Sequence, residues 1–261
     1  MIEDYFFYIV IIIGAMAGYY QKSLTLTGAI TAMLVGTSVY FGMGLKGLVL
    51  LGAFFVSSNF WSKFKSSAKK TMEEKLEKGA TRDWLQVLAN GGAAALFSIL
   101  YSYQPEQTWL LGFIVCLASA NSDTWASEIG SLSKNNPIYI RTFKRVERGT
   151  SGAISGLGSA AAVAGSFFIS ALSYWLFKVD FNLVIMVFLF GFIGNVIDTL
   201  FGAFYQQVYQ CDQCGITTEK KSHCQMPTTR IKGFILVDND MVNFLSGFIA
   251  AVISIVILRL F

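Results

Sequence analysis

Histidine is almost missing from this chain: His223 is the single one in 261 residues. A Ser-His-Asp hydrolase needs an imidazole beside its nucleophile, and one loop histidine argues against that class. Proline is scarce too, with 3 residues, and charged residues make up 14%, against about 25% in an ordinary soluble domain. The G-x-x-x-x-G-K-[ST] run of P-loop nucleotide enzymes does not occur. Nor does a cluster of basic and aromatic residues outside the apolar segments, so no nucleic-acid partner is expected.

Apolar residues fill the chain instead, at 54%, including 23 Phe. Apolar stretches recur at about the 20 residues that a bilayer requires. They predict an all-α, polytopic transmembrane bundle forming a single domain over 1–261. Its helices, about eight, fall at 4–20, 24–43, 45–61, 84–103, 108–126, 151–177, 181–204 and 240–260. The first stretch follows Glu3 and Asp4 rather than Lys or Arg and lacks a small-residue cleavage site, so it reads as a retained helix, not a signal peptide.

Charge placement gives an orientation. The loops at 21–23, 62–83, 127–150 and 205–239 share one side under this topology, and they hold every Lys and Arg except Lys46, Lys178 and Arg259. The positive-inside rule then puts these loops in the cytosol and both termini outside, at the cell membrane if the cell is prokaryotic. Within the first long loop, 62–82 reads as an amphipathic or solvated helix.

Polar residues gather at the basic side. The apolar run 109–118 ends in ANSDTWASEIG at 120–130, which brings Asn121, Asp123, Thr124 and Glu128 to membrane depth. Such groups are costly there unless they face a polar cavity or bind something. The run at 141–158, RTFKRVERGTSGAISGLG, then supplies Arg141, Lys144, Arg145 and Arg148. Gly149, Thr150, Ser151 and Gly152 follow at the expected start of the next helix. Glycines let backbone N–H groups approach an anion, and a helix N-terminus favours negative charge. Carboxylates followed by bases and a glycine turn point to metal plus phosphate.

Three more segments bring polar side chains to the same leaflet: Asp83, Gln86 and Asn90 at i, i+3, i+7 before Gly91-Gly92; Asn195 and Asp198 in a stripe with Gly191 and Gly202; and Asn239, Asp240 and Asn243 at the start of the last helix. A single amide such as Asn90 or Asn195 serves equally well as a hydrogen bond between helices. An acid such as Asp198 in an apolar helix more often marks a site.

Cys211, Cys214, His223 and Cys224 cluster in the last long loop, and C-x2-C is a chelating turn, so a structural Cys3His zinc site fits. Free thiols fit as well, and the adjacent His223 and Cys224 leave open whether both bind. Cys116, in an apolar stretch, reads as packing.

The motifs NSDTWASEIG, R-V-x-x-GTSG, DTLFGAFYQ and NDMVNFLSG, together with the earlier RDWLQVLANGG, resemble one integral-membrane family across nearly the whole chain, several of them in matching order. It contains plant and cyanobacterial phytyl-phosphate kinase and the animal transmembrane-protein-19-like proteins. The resemblance implies phosphoryl transfer from a nucleoside triphosphate, CTP or else ATP, to an isoprenoid monophosphate at a membrane-embedded site.

The residues suit that chemistry, which requires the charge on the migrating group to be neutralised by Mg2+ and by Arg or Lys. Asp123, Asp198 and Asp240 are the candidate Mg2+ ligands, with Glu128 beside them. Lys144, Arg145 and Arg148 would hold phosphates with the 149–152 turn. Asn90, Asn121, Asn195, Asn239 and Asn243 would position the nucleotide or metal-bound water. A cytidylyltransferase making a CDP-lipid would use much the same residues. An ion-coupled transporter is a reading of another class, and it would be expected to show internal repeats and polar groups near the midplane.

Overall fold

The computed structural model describes residues 2–64 and 76–260. Its helices are α1 (Ile2–Tyr20), α2 (Leu26–Lys63), α3 (Trp84–Tyr103), α4 (Gln107–Gly130), α5 (Gly156–Phe177), α6 (Phe181–Phe204) and α7 (Asn239–Leu260). Five of them (α2, α3, α5, α6 and α7) are long and apolar enough to cross a membrane, and α1 adds a shorter apolar stretch, Tyr5–Tyr20.

Helix α2 has 38 residues, which as one straight rod would reach far beyond a bilayer's roughly 30 Å core. It is a hairpin. Gly44 leaves the helical region with φ 61° and ψ −155°, a conformation that suits only glycine. A Cβ on Gly47 would lie 3.0 Å from Val39 Cγ1, whereas residues eight apart on a continuous helix are about 12 Å apart. The Lys63 ammonium at the far end donates to the Gln21 carbonyl near the start, at 3.0 Å. The expected break between 43 and 45 is therefore present, and it divides α2 into two helical arms, which gives eight helical segments among the described residues.

Helix α4 is the axis of the bundle. Residues 111–119 are all buried and α4 packs against α2, α3, α5, α6 and α7. Apolar on every side in its first half, it behaves as a helix enclosed by others. Neighbours approach it through small residues: a Cβ on Gly191 would come within 2.6 Å of Ala118 Cβ, and one on Gly194 within 2.0 Å of Ser119 Oγ. Serine hydroxyls fasten adjoining helices, Ser122 of α4 to the Ala162 carbonyl of α5 and Ser166 of α5 to the Phe188 carbonyl of α6. This is how helices associate where lipid is as apolar as their own side chains. The outward faces carry exposed Ile9, Leu34, Val56, Phe167, Leu189 and Val256, as a lipid-facing belt requires.

At one end the elements are joined by short turns, tied by Gln107 to Asp180 at 3.2 Å and Arg259 to Glu106 at 3.7 Å. At the other end the connections have structure of their own. Strands β1 (Ile138–Tyr139) and β2 (Ala153–Ile154) pair antiparallel before α5. Between α6 and α7, β3 (Val208–Gln210), β4 (Thr217–Thr218) and β7 (Thr229–Lys232) form a sheet in the order β4-β3-β7, and β5 (Ser222–His223) pairs with β6 (Met226–Pro227).

Two sequence expectations change here. Helix α5 starts at Gly156 behind its N-cap Ser155, not at 151, so the 149–152 turn lies ahead of it and is separated from it by β2. The solvated helix expected at 62–82 falls mostly at 65–75, outside the described residues. Residues 76–82 turn inward, with the Arg82 and Ser23 backbones exchanging a hydrogen bond of 3.0 Å.

Candidate functional site

The ends of α3, α4, α5, α6 and α7 on the structured side surround a cavity of about 350 Å³. Its floor is a pair of acids. Asp123 from α4 and Asp198 from α6 lie within hydrogen-bonding reach of each other. Asn195, one turn before Asp198, donates to Asp123 Oδ1 at 3.0 Å, and Ser246 of α7 donates to Asp198 Oδ2 at 3.4 Å. No lysine or arginine pairs with either acid among the described residues. Two neighbouring carboxyls with no protein cation among the described residues, oriented by an amide N–H and a serine hydroxyl, offer the oxygen donors that a hard divalent ion takes.

The glycine turn forms the facing wall. Gly149 and Gly152 both have φ of 80°, and a Cβ on Gly152 would sit 2.4 Å from the Ala203 backbone. Only glycine fits where this turn presses on α6. Thr150, Ser151, Arg148 and the first turn of α5 line the same cavity. Arg148 donates to the Lys134 carbonyl at 3.2 Å, which fixes its guanidinium along the rim.

Among the residues singled out from sequence, Asn90, Asp123, Glu128, Arg148, Gly149, Thr150, Ser151, Gly152, Asn195, Asp198, Asn239, Asp240 and Asn243 converge here. Others do not. Asn121 is wholly buried between helices, accepting from Ser57 Oγ at 3.0 Å and donating to the Gly165 carbonyl at 2.8 Å, so it joins α2, α4 and α5. Arg145 is exposed and donates to the Asn136 carbonyl, and Lys144 is exposed with its backbone carbonyl bonded to Tyr139. Neither lines the cavity. Asp240 does, yet it already has a cation: Lys78 Nζ lies 2.5 Å from it and 2.8 Å from Asp83. Asp240, one of the candidate Mg2+ ligands, is thus ion-paired in this structure. Asp83 itself caps α3, accepting from the Gln86 amide in a reciprocal box.

Four cavity residues had no signal strong enough to be singled out. Lys78 and Glu77 sit in a charge run that resembles a wet surface. Burial alone would lower the Lys78 pKa, but the Asp240 and Asp83 carboxylates outweigh it and hold it above the ordinary lysine value. Glu219 and Gln206 lie between α6 and α7, where sequence showed only a loop. Glu219 is buried, accepts from Ser151 at 2.5 Å and Gln206 at 2.8 Å, and stands close enough to Asp198 to repel it. Burial pushes its carboxyl above the usual range.

A second, apolar cleft of about 800 Å³ runs between α1, α2 and α3. It shares Arg82, Gln86 and Asn90 with the polar cavity. Arg82 stands at that junction with its guanidinium over the Phe55 ring at 5.9 Å and 3.5 Å from Asn59 Oδ1, and it forms no ion pair among the described residues.

In the 205–238 segment, the ligand atoms of Cys211, Cys214, His223 and Cys224 all lie within 4.8 Å of one another. Cys116 is buried in α4 as packing.

A helical bundle with five helices long and apolar enough to cross a membrane, buried acids at one end, a glycine turn beside them and an apolar cleft alongside is the architecture of an integral membrane protein with a polar site at one end of its bundle. The chain belongs to the family Integral membrane protein DUF92, whose profile matches residues 9–251. That membership bears out the resemblance read from the motifs. The chain is 32% identical to Protein PGR of Arabidopsis thaliana over 93% of each chain. It is 36% identical to an uncharacterized membrane protein of Methanocaldococcus jannaschii, over 76% of this chain and 82% of that one. With Protein VTE6, chloroplastic, of Arabidopsis thaliana it shares 26% identity over 89% of this chain and 64% of the relative. No solved structure matches.

Proposed function

We propose that this protein is an isoprenoid-monophosphate kinase, transferring the γ-phosphoryl group of a nucleoside triphosphate, CTP by family resemblance, to a phytyl or related prenyl phosphate. The observation that carries this reading is the adjacency of two unlike cavities, which share Arg82, Gln86 and Asn90 in their walls. A polar chamber with paired acids and a glycine turn adjoins an apolar cleft, and Arg82 lies where they meet. A long apolar chain ending in a phosphate has that same division.

Asp123 and Asp198 would hold Mg2+, which when bound neutralises phosphate charge. Asn195 and Ser246 keep the two carboxyls oriented. Arg148 and the N–H groups of the 149–152 turn would receive the triphosphate, and Arg82 the monophosphate. In the reaction a phosphate oxygen of the lipid bonds to the γ-phosphorus as the bond from that phosphorus to its bridging oxygen breaks, releasing the nucleoside diphosphate. The attacking oxygen is already anionic, so no general base is required, in keeping with the lone, distant His223. The bias of Lys and Arg toward one set of loops supports a site that faces the cytosol.

The test is a product assay on purified protein with Mg2+, γ-labelled CTP or ATP, and phytyl or geranylgeranyl monophosphate. Label should enter the lipid, and Asp123→Asn should lower the rate by a factor on the order of 100 or more while the detergent-solubilised protein elutes unchanged. Full activity in that variant would remove the metal assignment. Pyrophosphate release with a CDP-lipid from α-labelled CTP would replace the kinase with a cytidylyltransferase.

A further inference from the structure

The segment between α6 and α7 contains a second candidate metal site that the phosphoryl-transfer chemistry does not use. The chain doubles back so that Cys211 and Cys214, flanking the turn after β3, face His223 and Cys224 on the β5–β6 hairpin. His223 Nδ1 is 3.4 Å from Cys214 Sγ and 3.2 Å from Cys224 Sγ. Around one tetrahedral Zn2+, ligand atoms are separated by about 3.5–3.8 Å, from bond lengths of about 2.3 Å to sulfur and 2.0–2.1 Å to nitrogen. The four ligand atoms are thus already gathered at nearly the spacing of a filled site.

The backbone explains how adjacent His223 and Cys224 both reach the centre. Cys224 and Gln225 have φ of 51° and 61°, which makes the β5–β6 connection a tight turn with two left-handed non-glycine residues. Such positions persist where surrounding structure over-determines them. Here the turn swings Cys224 Sγ back beside the preceding imidazole. On the other side, the Gly215 amide donates to the Cys211 carbonyl at 2.8 Å, with Gly215 at φ 74°, so the Cys211–Cys214 turn closes upon itself.

We infer that Cys211, Cys214, Cys224 and His223 through Nδ1 bind one structural Zn2+, which clamps the segment that holds Glu219 in the cavity wall. Between the two halves of the cluster lie β4 and Glu219. The Glu219 carboxylate takes hydrogen bonds from Ser151 of the glycine turn and from Gln206. Four protein ligands fill the coordination sphere and leave no open position for substrate, which makes the ion structural. Each cysteine binds as thiolate, so binding releases protons and couples the ion to the fold of the segment. Glu219 is a positioning residue in this arrangement, acting through Ser151.

The deciding measurement is the zinc content of the full-length protein purified in detergent without chelator, together with cobalt substitution. About one zinc per chain is expected. Replacement by Co2+ should give sulfur-to-metal charge-transfer absorption and the intense visible bands of a tetrahedral site, both lost in Cys214→Ser and Cys224→Ser. Because those variants can unfold, the wild-type chain is also stripped with a high-affinity chelator and probed by limited proteolysis. Cleavage within 205–238 should accelerate at least several-fold and reverse on adding zinc. A monodisperse chain with negligible zinc, no cobalt bands, or a Cys211–Cys214 disulfide in non-reducing thiol counts would overturn the inference. So would cleavage rates that ignore the metal. None of these readouts depends on the kinase reaction, so the two proposals fail separately.

Discussion

Asn121 and Asn195 look alike in sequence, each an amide in an apolar helix near a carboxylate, and the structure gives them different partners. Asn121 spends its hydrogen bonds on Ser57 and Gly165, inside the bundle. Asn195 spends its own on Asp123, inside the cavity. Asn121→Ala should therefore lower thermal stability, since it strands buried partners at a cost of about 1–3 kcal/mol, and leave KM for both substrates near wild type. Asn195→Ala should cost less stability and raise the Mg2+ concentration needed for half-maximal activity about tenfold, as losing an outer-shell partner does. Thermal melts and Mg2+ titrations of both variants distinguish them. An Asn121 variant with weakened Mg2+ dependence would reverse the assignment. Sequence could mark both residues as unusual, but which neighbour each amide meets is decided by helix rotation, and no local pattern encodes that.

Helix limits were the most legible elements, because apolar length and flanking polar residues fix them. The expected 84–103 and 181–204 coincide with α3 and α6. The expected break near 44 also holds, though its cause is one backbone conformation rather than a polar loop. No atom would obstruct a Cβ on Gly44, so strain alone opposes other residues there. Gly44→Val should lower the melting midpoint by several degrees, reflecting about 1–3 kcal/mol, without changing the zinc content. A neutral melt would mean that the hairpin tolerates a conformation other than the one described. Less legible were the connections on the basic side. Strands of two to four residues carry too little periodicity to be recognised, and the charges of Glu77 and Lys78 resemble a wet surface until Asp240 is placed opposite them. Glu219 was hidden for the same reason, since its partner Ser151 comes from another loop and Gln206 from the start of its own segment.

For the whole molecule, topology and charge agree. Lys46, Lys178 and Arg259 fall at the short-turn end, and the remaining basic residues within the described chain fall at the structured end. Single cysteines placed at Lys46 and Lys178 in a cysteine-free background should react with a membrane-impermeant maleimide applied to intact cells, whereas one at Lys220 should react only after permeabilisation. Labelling at Lys220 from outside would invert the orientation and move the proposed site away from the cytosolic nucleotide pool. The family and the overall bundle could be read before any coordinates because hydropathy and motif order are properties of the chain alone. The meeting of acids from α4 and α6 is a property of packing.

Arg82, Gln86 and Asn90 line both the polar chamber, where the proposed reaction takes its nucleotide, and the cleft bounded by α1, α2 and α3. If the lipid arrives through that cleft, its effective concentration is two-dimensional. Rates would then follow the mole fraction of isoprenoid phosphate in the bilayer or micelle and fall on surface dilution with inert detergent, even at fixed bulk concentration. The nucleotide, drawn from water, would remain indifferent to the same dilution.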